Sequence, residues 1–376
     1  MAIHQGKVLH LVDSLGLGGT QAILRDYFGG RPTDRGVHLY GLRTVSRQMH
    51  IDHPNVAVNA SPLRFSIMPL FDLRRIVRRE GIGVLHCHLF RSQVFGYLLK
   101  RLFFPDIVLV FHEHGRVVGR EGESGFEALM FRWFLRLAWP HVDRFICISD
   151  HTCSRLLKLI PGARPTTIVV SNPIPVYPQE GVTFDRDALR RDHGIPVDAF
   201  VVGFAARLIE RKGWKDFLDA VALVSKRMPV HFLLAGDGED RARAEAHIAA
   251  IGLADRGRML GHIDWMEPFY ECLDCFVMPS HWEPHGLAHL EAQGFGVPTV
   301  VARVPGLEST VHDGVDSLLF ESGNVEALAA CIERVAGDAA LRLRLAAGGR
   351  ANSARYTMEA FASTLDTIYA SLERAR

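Results

Sequence analysis

Three things are scarce in this 376-residue chain: net charge, paired cysteines and long apolar runs. Lysine and arginine number 43 against 42 aspartates and glutamates, a formal net charge of +1. That balance argues against a basic nucleic-acid binder, and no nucleic acid is expected as partner. No segment approaches the ~18 consecutive apolar residues of a membrane span. The stretch Met1-Ala2-Ile3-His4-Gln5-Gly6-Lys7 has no basic region leading into a long apolar run, so a secretory signal is not expected. Of six cysteines, only Cys272 and Cys275 form a C-x-x-C, with no second pair and no suitably spaced histidines. Two helix residues near a core are favoured there over a zinc or redox site, and a reducing, cytoplasmic compartment is expected. Two nucleotide fingerprints are also missing. After Asp13-Ser14-Leu15-Gly16-Leu17-Gly18-Gly19-Thr20, the dinucleotide pattern needs a glycine where Gln21 stands, and the next strand runs into Gly41-Leu42-Arg43 without an acid. A nicotinamide cofactor is disfavoured, and no Gly-Lys-Ser/Thr of a P-loop follows.

What is present is the material for two cores. Hydrophobic residues make up 48% and charged residues 23%. At about 100–200 residues per domain, the length suggests two domains, or three. Short apolar runs alternate with amphipathic stretches, the signature of a parallel sheet covered on both faces. The first half predicts strands at Val8–Val12, Val37–Leu42, Val84–Cys87, Ile107–Phe111, Arg144–Ile148 and Thr167–Val170, with helices such as Phe71–Glu80, Gln93–Phe103 and Phe126–Trp139. Prolines 173, 175 and 178 interrupt the pattern, which places a domain boundary there. The alternation then restarts, with strands at Val201–Ala205, His231–Ala235, Arg258–Leu260, Cys275–Met278 and Thr299–Ala302. Helices fit Lys215–Arg227, Asp240–Ile251, Leu287–Phe295, Val325–Gly337 and Ala339–Tyr356. The last stretch, Met358–Arg374, places Phe361, Leu365, Ile368, Tyr369 and Leu372 on one helical face. The fold class is therefore α/β, with two Rossmann-like doubly wound domains facing a central cleft. The domains are residues 1–173, 174–356 and a terminal helix, 357–376, expected to pack back on the first.

Ligands of such sheets bind beyond the carboxyl ends of the strands, so the loops there hold the candidate chemistry. Gly18 and Gly19 make a strand-to-helix turn that lets backbone approach a ligand. Arg207 and Lys212 sit on one loop after a strand and suit the developing charge of a diphosphate leaving group. Gly236 and Gly238 form another tight turn. The strongest stretch is Pro279-Ser280-His281-Trp282-Glu283-Pro284-His285-Gly286-Leu287-Ala288-His289-Leu290-Glu291. It follows a strand and opens a helix. Its two glutamates suit sugar and ribose hydroxyls, and its amides at residues 285–287 are donors at a helix start. Asp185-Arg186-Asp187 is the only D-x-D, and it reads as a helix cap rather than a metal site.

On these motifs, in this order, the chain resembles family 4 of the retaining glycosyltransferases, the group 1 type with the GT-B fold. The family's E-P-F-G-x-x-x-x-E reads here as Glu283-Pro284-His285-Gly286 and then Glu291, departing at His285. The resemblance implies that Arg207 and Lys212 bind the diphosphate and that Glu291 holds the ribose. It implies that Glu283, with the amides of His285, Gly286 and Leu287, holds the donor sugar. Backbone near Ile263 would read the base, Gly18 and Gly19 would meet the phosphates, and Gly236 and Gly238 would line the donor site. His112 matches a histidine that approaches the donor sugar. It stands with His86, His88 and His114 on two adjacent strand ends. Those H-x-H pairs could suggest a metal, but the implied fold needs none. His86 is read as a local hydrogen-bonding residue. Catalytic roles fall to His112, Glu283, Arg207 and Lys212.

The expected reaction moves a sugar from a nucleotide diphosphate-sugar, a UDP-sugar first and a GDP-sugar second, to a hydroxyl of a glycan or lipid-linked acceptor. Cell-envelope or exopolysaccharide synthesis is the expected setting, with no cofactor and no metal at the donor site. A nucleotide-sugar epimerase and a noncatalytic nucleotide-sugar-binding subunit are the rival readings. Interleaved aromatic and basic residues at 131–139, with Arg74, Arg75, Arg78 and Arg79, suggest either a peripheral membrane contact or, preferred, a core helix with arginines facing water.

Overall fold

The computed structural model describes residues 7–16, 18–30, 36–45, 49–63, 66–115, 125–175 and 183–374. The chain divides into two compact units, Met1–Pro173 with Met358–Arg376, and Ile174–Thr357.

In the first unit the apolar runs become strands β1 (Val8–Val12), β2 (Val37–Gly41), β3 (Val56–Val58), β4 (Val84–His88), β5 (Val108–Glu113), β6 (Arg144–Cys147) and β7 (Thr167–Val169). All pair in parallel, in the order β3-β2-β1-β4-β5-β6-β7. Between them run helices α1 (Gly19–Gly29), α2 (Met68–Glu80), α3 (Phe90–Leu102), α4 (Phe126–Ala138) and α5 (Asp150–Leu159). A strand buried on both faces is built mainly of apolar residues, and Val8–Val12, buried throughout, is apolar at every position but His10. Helix α5 begins where Ser149 accepts a hydrogen bond from the Thr152 amide.

The second unit repeats the plan. Strands β8 (Phe200–Ala205), β9 (Val230–Ala235), β10 (Gly257–Gly261), β11 (Cys275–Met278), β12 (Thr299–Arg303) and β13 (Ser317–Glu321) are parallel, in the order β10-β9-β8-β11-β12-β13. Helices α6 (Arg186–Asp192), α7 (Trp214–Ser225), α8 (Arg241–Ala250), α9 (Glu267–Glu271), α10 (Ala288–Gly294), α11 (Pro305–Glu308), α12 (Val325–Gly337) and α13 (Ala339–Ser353) connect and cover them. One apolar layer includes Phe204, Phe217, Val221, Phe232 and Ile332, and a second, on the other face, Val201, Leu233, Tyr270, Phe276 and Leu307. Asp185 caps α6 by accepting from the Ala188 amide, as the D-x-D reading requires. Ile174 pairs with Thr357, so the chain enters and leaves this unit at one place.

The last helix, α14 (Met358–Arg374), belongs to the first unit and buries Phe361, Leu365, Ile368, Tyr369 and Leu372. Its Phe361 ring meets the Tyr27 ring of α1 edge-on, centroids 6.0 Å apart. Cys272 and Cys275 are buried free thiols, the second opening β11 rather than lying on a helix. In α4, by contrast, Leu129, Met130, Trp133 and Leu137 face outward, so the expected core helix with only arginines in water is corrected: an apolar stripe is exposed beside Arg136. Residues 116–124 and part of 59–68, loops that carry no motif, lie outside the described residues.

Candidate functional site

In each sheet the strand order reverses once, between β1 and β4 and between β8 and β11. At such a reversal the loops leaving neighbouring strands diverge, and the opening at their carboxyl ends takes a ligand.

In the second unit the loop after β8 carries Arg207, exposed to solvent, and Lys212 in a 3-10 turn, Glu210–Lys212. The turn ends in Gly213 with φ +71, where a Cβ would lie 2.1 Å from the Pro279 carbonyl oxygen. Only glycine lets the two loops touch here. The contact is then stitched. The His281 amide donates to the Arg211 carbonyl at 2.9 Å, and the His281 ring meets Asp216 at 2.7 Å, a hydrogen bond that raises its pKa. The Arg211 guanidinium lies 5.3 Å from the Trp282 ring centre. Between the loops, Lys212 Nζ donates to Glu283 Oε1, which also accepts from Ser280 Oγ at 3.1 Å. Glu283 is 4% exposed. The predicted cation and the predicted carboxylate are thus one part-buried pair.

The neighbouring glycines explain themselves differently. A Cβ on Gly236 would sit 1.9 Å from the Ala206 carbonyl oxygen, and one on Gly238 2.3 Å from that of Leu208. Their absent side chains admit the backbone of the Arg207 loop, which is held by bonds such as Leu208 N–H to Asp237 O at 3.0 Å. Glu291 lies on α10 and accepts from the Tyr270 hydroxyl at 2.8 Å. His285 is buried, donating Nδ1–H toward the Gly286 carbonyl at 3.0 Å, and burial lowers its pKa to about 4. Gly286 has φ +73 and would clash with Leu307 if it bore a Cβ. The amides of His285, Gly286 and Leu287 donate to no group among the described residues. Ile263 follows β10 and packs partly into the core.

In the first unit, Gly18 is in extended backbone and Gly19 opens α1. The Gln21 side chain donates to the Ser14 carbonyl at 3.2 Å, so it holds this turn instead of supplying an acid. Asp13, just past β1, accepts from Arg91 at 3.0 Å and Arg43 at 3.3 Å. His112 belongs to a buried row of histidines. Register pairs His10 of β1 with His86 of β4, and His88 of β4 with His112 of β5, which puts them on one sheet face with His114. His112 Nδ1 meets His86 Nε2 at 3.2 Å, and His86 Nδ1 meets the Tyr369 hydroxyl at 2.5 Å. Burial holds His86, His88 and His112 well below the usual imidazole pKa and His114 at about 3, so all four rings are neutral. On the opposite face of β5, burial pushes Glu113 up to about 8.

The structure therefore joins Lys212 to Glu283 and sets Arg207 against the Gly236–Gly238 turn. It gives Glu291 its own holder in Tyr270, and puts Gly18, Gly19 and His112 at strand ends of the first unit. Sequence reading missed Tyr270, Tyr369, His10 and the Asp13–Arg43–Arg91 cluster. Tyr270 and Tyr369 sit on elements far in sequence from their partners, but His10 gave a signal, as a polar residue inside an apolar strand.

Similarity to known proteins agrees with this architecture. The crystal structure of Anabaena HepE in complex with UDP superposes with a TM-score of 0.82 over 97% of this chain and 100% of that one, at 22% identity. Sucrose-phosphate synthase from Thermosynechococcus elongatus gives 0.80 over 98% of this chain. The fold is the two-domain GT-B fold. Residues 185–352 match the glycosyl transferases group 1 model, and residues 28–176 the glycosyltransferase family 4 model. The D-inositol 3-phosphate glycosyltransferase of Xylanimonas cellulosilytica is 32% identical over 80% of this chain and 74% of its own length. The chain belongs to glycosyltransferase family 4. The lipopolysaccharide core biosynthesis glycosyltransferase LpsE of Rhizobium meliloti is 35% identical over 56% of this chain, which spans 58% of that relative's length.

Proposed function

We propose that this chain transfers a glycosyl unit from a UDP-sugar, or failing that a GDP-sugar, to a hydroxyl of a glycan or lipid-linked acceptor, with retention at the anomeric carbon. The observation that carries the reading is the part-buried Lys212–Glu283 pair at the strand-order reversal, on the loop that also carries exposed Arg207. Breaking the bond from the anomeric carbon to the phosphate oxygen leaves negative charge on the diphosphate, and the two cations of this loop, Arg207 and Lys212, stabilise it as it forms. The acceptor oxygen then bonds to the anomeric carbon, and its proton passes to the departing phosphate oxygen. That step asks for no carboxylate nucleophile and no metal at the donor site. Glu283 accepts from donor-sugar hydroxyls while its contact with Lys212 fixes the carboxylate in place. Glu291, held by Tyr270, takes the ribose, and the unengaged amides at 285–287 supply further donors. Ile263 lies where backbone would read the base, Gly18 and Gly19 serve the phosphates, and His112 serves the sugar. The relatives act in lipopolysaccharide core, inositol phosphate and deoxystreptamine glycosylation, which supports the transferase reading over an epimerase or a noncatalytic subunit. HepE has been crystallised with UDP-glucose, which favours uridine.

A thermal-shift screen of UDP, GDP and ADP, with and without a chelator, tests the donor. A shift with UDP that survives the chelator supports the reading, and no shift with any of them refutes it. A peripheral membrane contact is the companion proposal, in keeping with a lipid-linked acceptor. Leu129, Trp133 and Leu137 on α4 are exposed, as are Phe71, Arg75, Arg78 and Arg79 on α2. Among the described residues no helix is long and apolar enough to cross a membrane. Co-sedimentation with anionic vesicles, reduced in Trp133→Ser, checks it.

A further inference from the structure

The histidine row holds more than the proposed transfer needs. Its links run in a line. His114 Nε2 meets His88 Nδ1 at 3.0 Å, and His88 Nε2 meets His10 Nδ1 at 2.9 Å. Tyr369 connects His10 to His86, and His86 meets His112. Five imidazoles on one face of a sheet exceed what a single sugar contact uses. Two ring nitrogens at the ends of the line, His112 Nε2 and His114 Nδ1, are buried with no hydrogen-bond partner among the described residues. A buried polar atom left unpaired costs about 1–3 kcal/mol, so the arrangement calls for something to satisfy it.

We propose that His88, His112 and His114 form a binding site for one divalent transition-metal ion of the zinc type. One ring nitrogen from each lies within 4.8 Å of the other two. Tetrahedral zinc, with Zn–N bonds of about 2.0–2.1 Å, needs its nitrogens roughly 3.4 Å apart, so the set must close by up to about 1.4 Å around the ion. A second triad, His10 with His86 and His88, is equally close but serves differently. There the nitrogens of His10 and His86 are already engaged by His88, Tyr369 and His112. Those residues are the outer support. His10 holds His88 Nε2 and His86 holds His112 Nδ1, which fixes both rings as ligating histidines require; His112 Nε2 is left unengaged, while His88 Nδ1 turns from its contact with His114 Nε2 to the ion. Three neutral imidazoles without a thiolate or carboxylate suit Zn²⁺, Co²⁺ or Ni²⁺ rather than Mg²⁺ or Ca²⁺. His114 follows the end of β5 and is the least enclosed of the three, so the ion enters there and keeps a fourth position for an oxygen ligand. The site lies wholly in the first unit and rests on the ring geometry there; it shares His112 with the proposed sugar contact, which this ring makes only when the ion is absent.

The test uses the full chain, purified without a histidine tag, stripped by chelator dialysis and titrated with Co²⁺ and then Zn²⁺. The expected result is one equivalent per chain with Kd below about 1 μM, an intense visible d–d spectrum of tetrahedral Co²⁺, and a melting temperature that rises with Zn²⁺ and returns on chelation. His114→Ala, whose side chain is only partly enclosed, weakens binding by about 100-fold or more, and the exposed-surface control His262→Ala leaves it unchanged. Substoichiometric binding, an octahedral Co²⁺ spectrum, or stoichiometric binding that survives both His114→Ala and His88→Ala overturns the site. If the variants fail to fold, the wild-type stoichiometry and Co²⁺ spectrum decide. A UDP-induced shift is read separately, because it persists in the stripped protein.

Discussion

Replacing Lys212 by alanine strands a carboxylate. The Glu283 side chain is 5% exposed and that of Lys212 17%, so neither charge is well hydrated in the fold. At an effective dielectric near 20, two unit charges about 3 Å apart attract by roughly 5 kcal/mol, and removing both from water costs several kcal/mol per ion. The pair as a whole is therefore close to neutral for stability, but either partner alone is not. With Lys212 gone, Glu283 keeps the Ser280 hydroxyl at 3.1 Å and no counter-charge in this contact. Breaking a buried pair from one side costs about 3–5 kcal/mol, and partial exposure of the lysine puts Lys212→Ala near the lower figure. Glu283→Gln keeps the Ser280 contact and removes the charge, so the double variant should regain most of the loss. The assay is urea unfolding of the four proteins at pH 7.5, followed by fluorescence of Trp214, which is buried in the same unit. A coupling of about 2 kcal/mol or more is expected. Coupling below about 0.5 kcal/mol, the level of a surface pair, refutes the buried-pair argument. Both single variants and the double should lose turnover, which separates the pair's part in stability from its part in the reaction.

Further outcomes follow from the same geometry. Gly213→Ala puts a Cβ 2.1 Å from the Pro279 oxygen at φ +71, and should destabilise the second unit by more than about 2 kcal/mol in the same urea assay. Gly19→Ala meets nothing within 4 Å, so the melting temperature should hold while donor affinity falls about tenfold by calorimetry if backbone approaches the phosphates there. Tyr270→Phe removes the 2.8 Å bond to Glu291 and should raise the donor KM about tenfold with kcat little changed. Burial lowers His285 to about 4 and His289 to about 3, whereas the unfolded chain binds those protons near pH 6.5. Their stability contribution is therefore intact above pH 6.5 and lost as pH falls toward 4 and 3. At pH 5 each costs about 2 kcal/mol, so the urea midpoint of the second unit should drop between pH 7.5 and 5.0, and by less in His289→Gln.

The parallel strands were readable because burial on both faces demands unbroken apolar runs, and α14 because its buried face repeats at helical spacing in Phe361, Leu365, Ile368, Tyr369 and Leu372. Two of the four edge strands, β3 and β13, were not readable. Val56–Val58 is only three residues long and half-exposed, and Ser317–Glu321 ends in exposed Glu321. Helix ends shifted by a few residues where no cap residue marks them. Helix α3 starts at Phe90 rather than Gln93, after Leu89 with φ +71, a turn that leucine does not advertise. In the site, loop residues with distinctive chemistry were visible, but their partnerships were not. Nothing in the sequence says that Lys212 meets Glu283, 71 positions away, or that Tyr369 meets His86 across 283. The first contact is set by the strand order, in which β8 adjoins β11, and the second by the return of α14 to the first unit. The glycines at 236 and 238, read as a tight turn lining the donor site, admit the backbone of the neighbouring loop.

The central claim is a donor diphosphate held by cations at the β8–β11 reversal, and Arg207 tests it most cleanly because its exposed side chain contributes little to folding. Calorimetric titration of UDP into the wild type and Arg207→Ala is the measurement. One site per chain, weakened by about 10–100-fold in the variant at an unchanged melting temperature, is the predicted result. Equal UDP affinity in both proteins would contradict it.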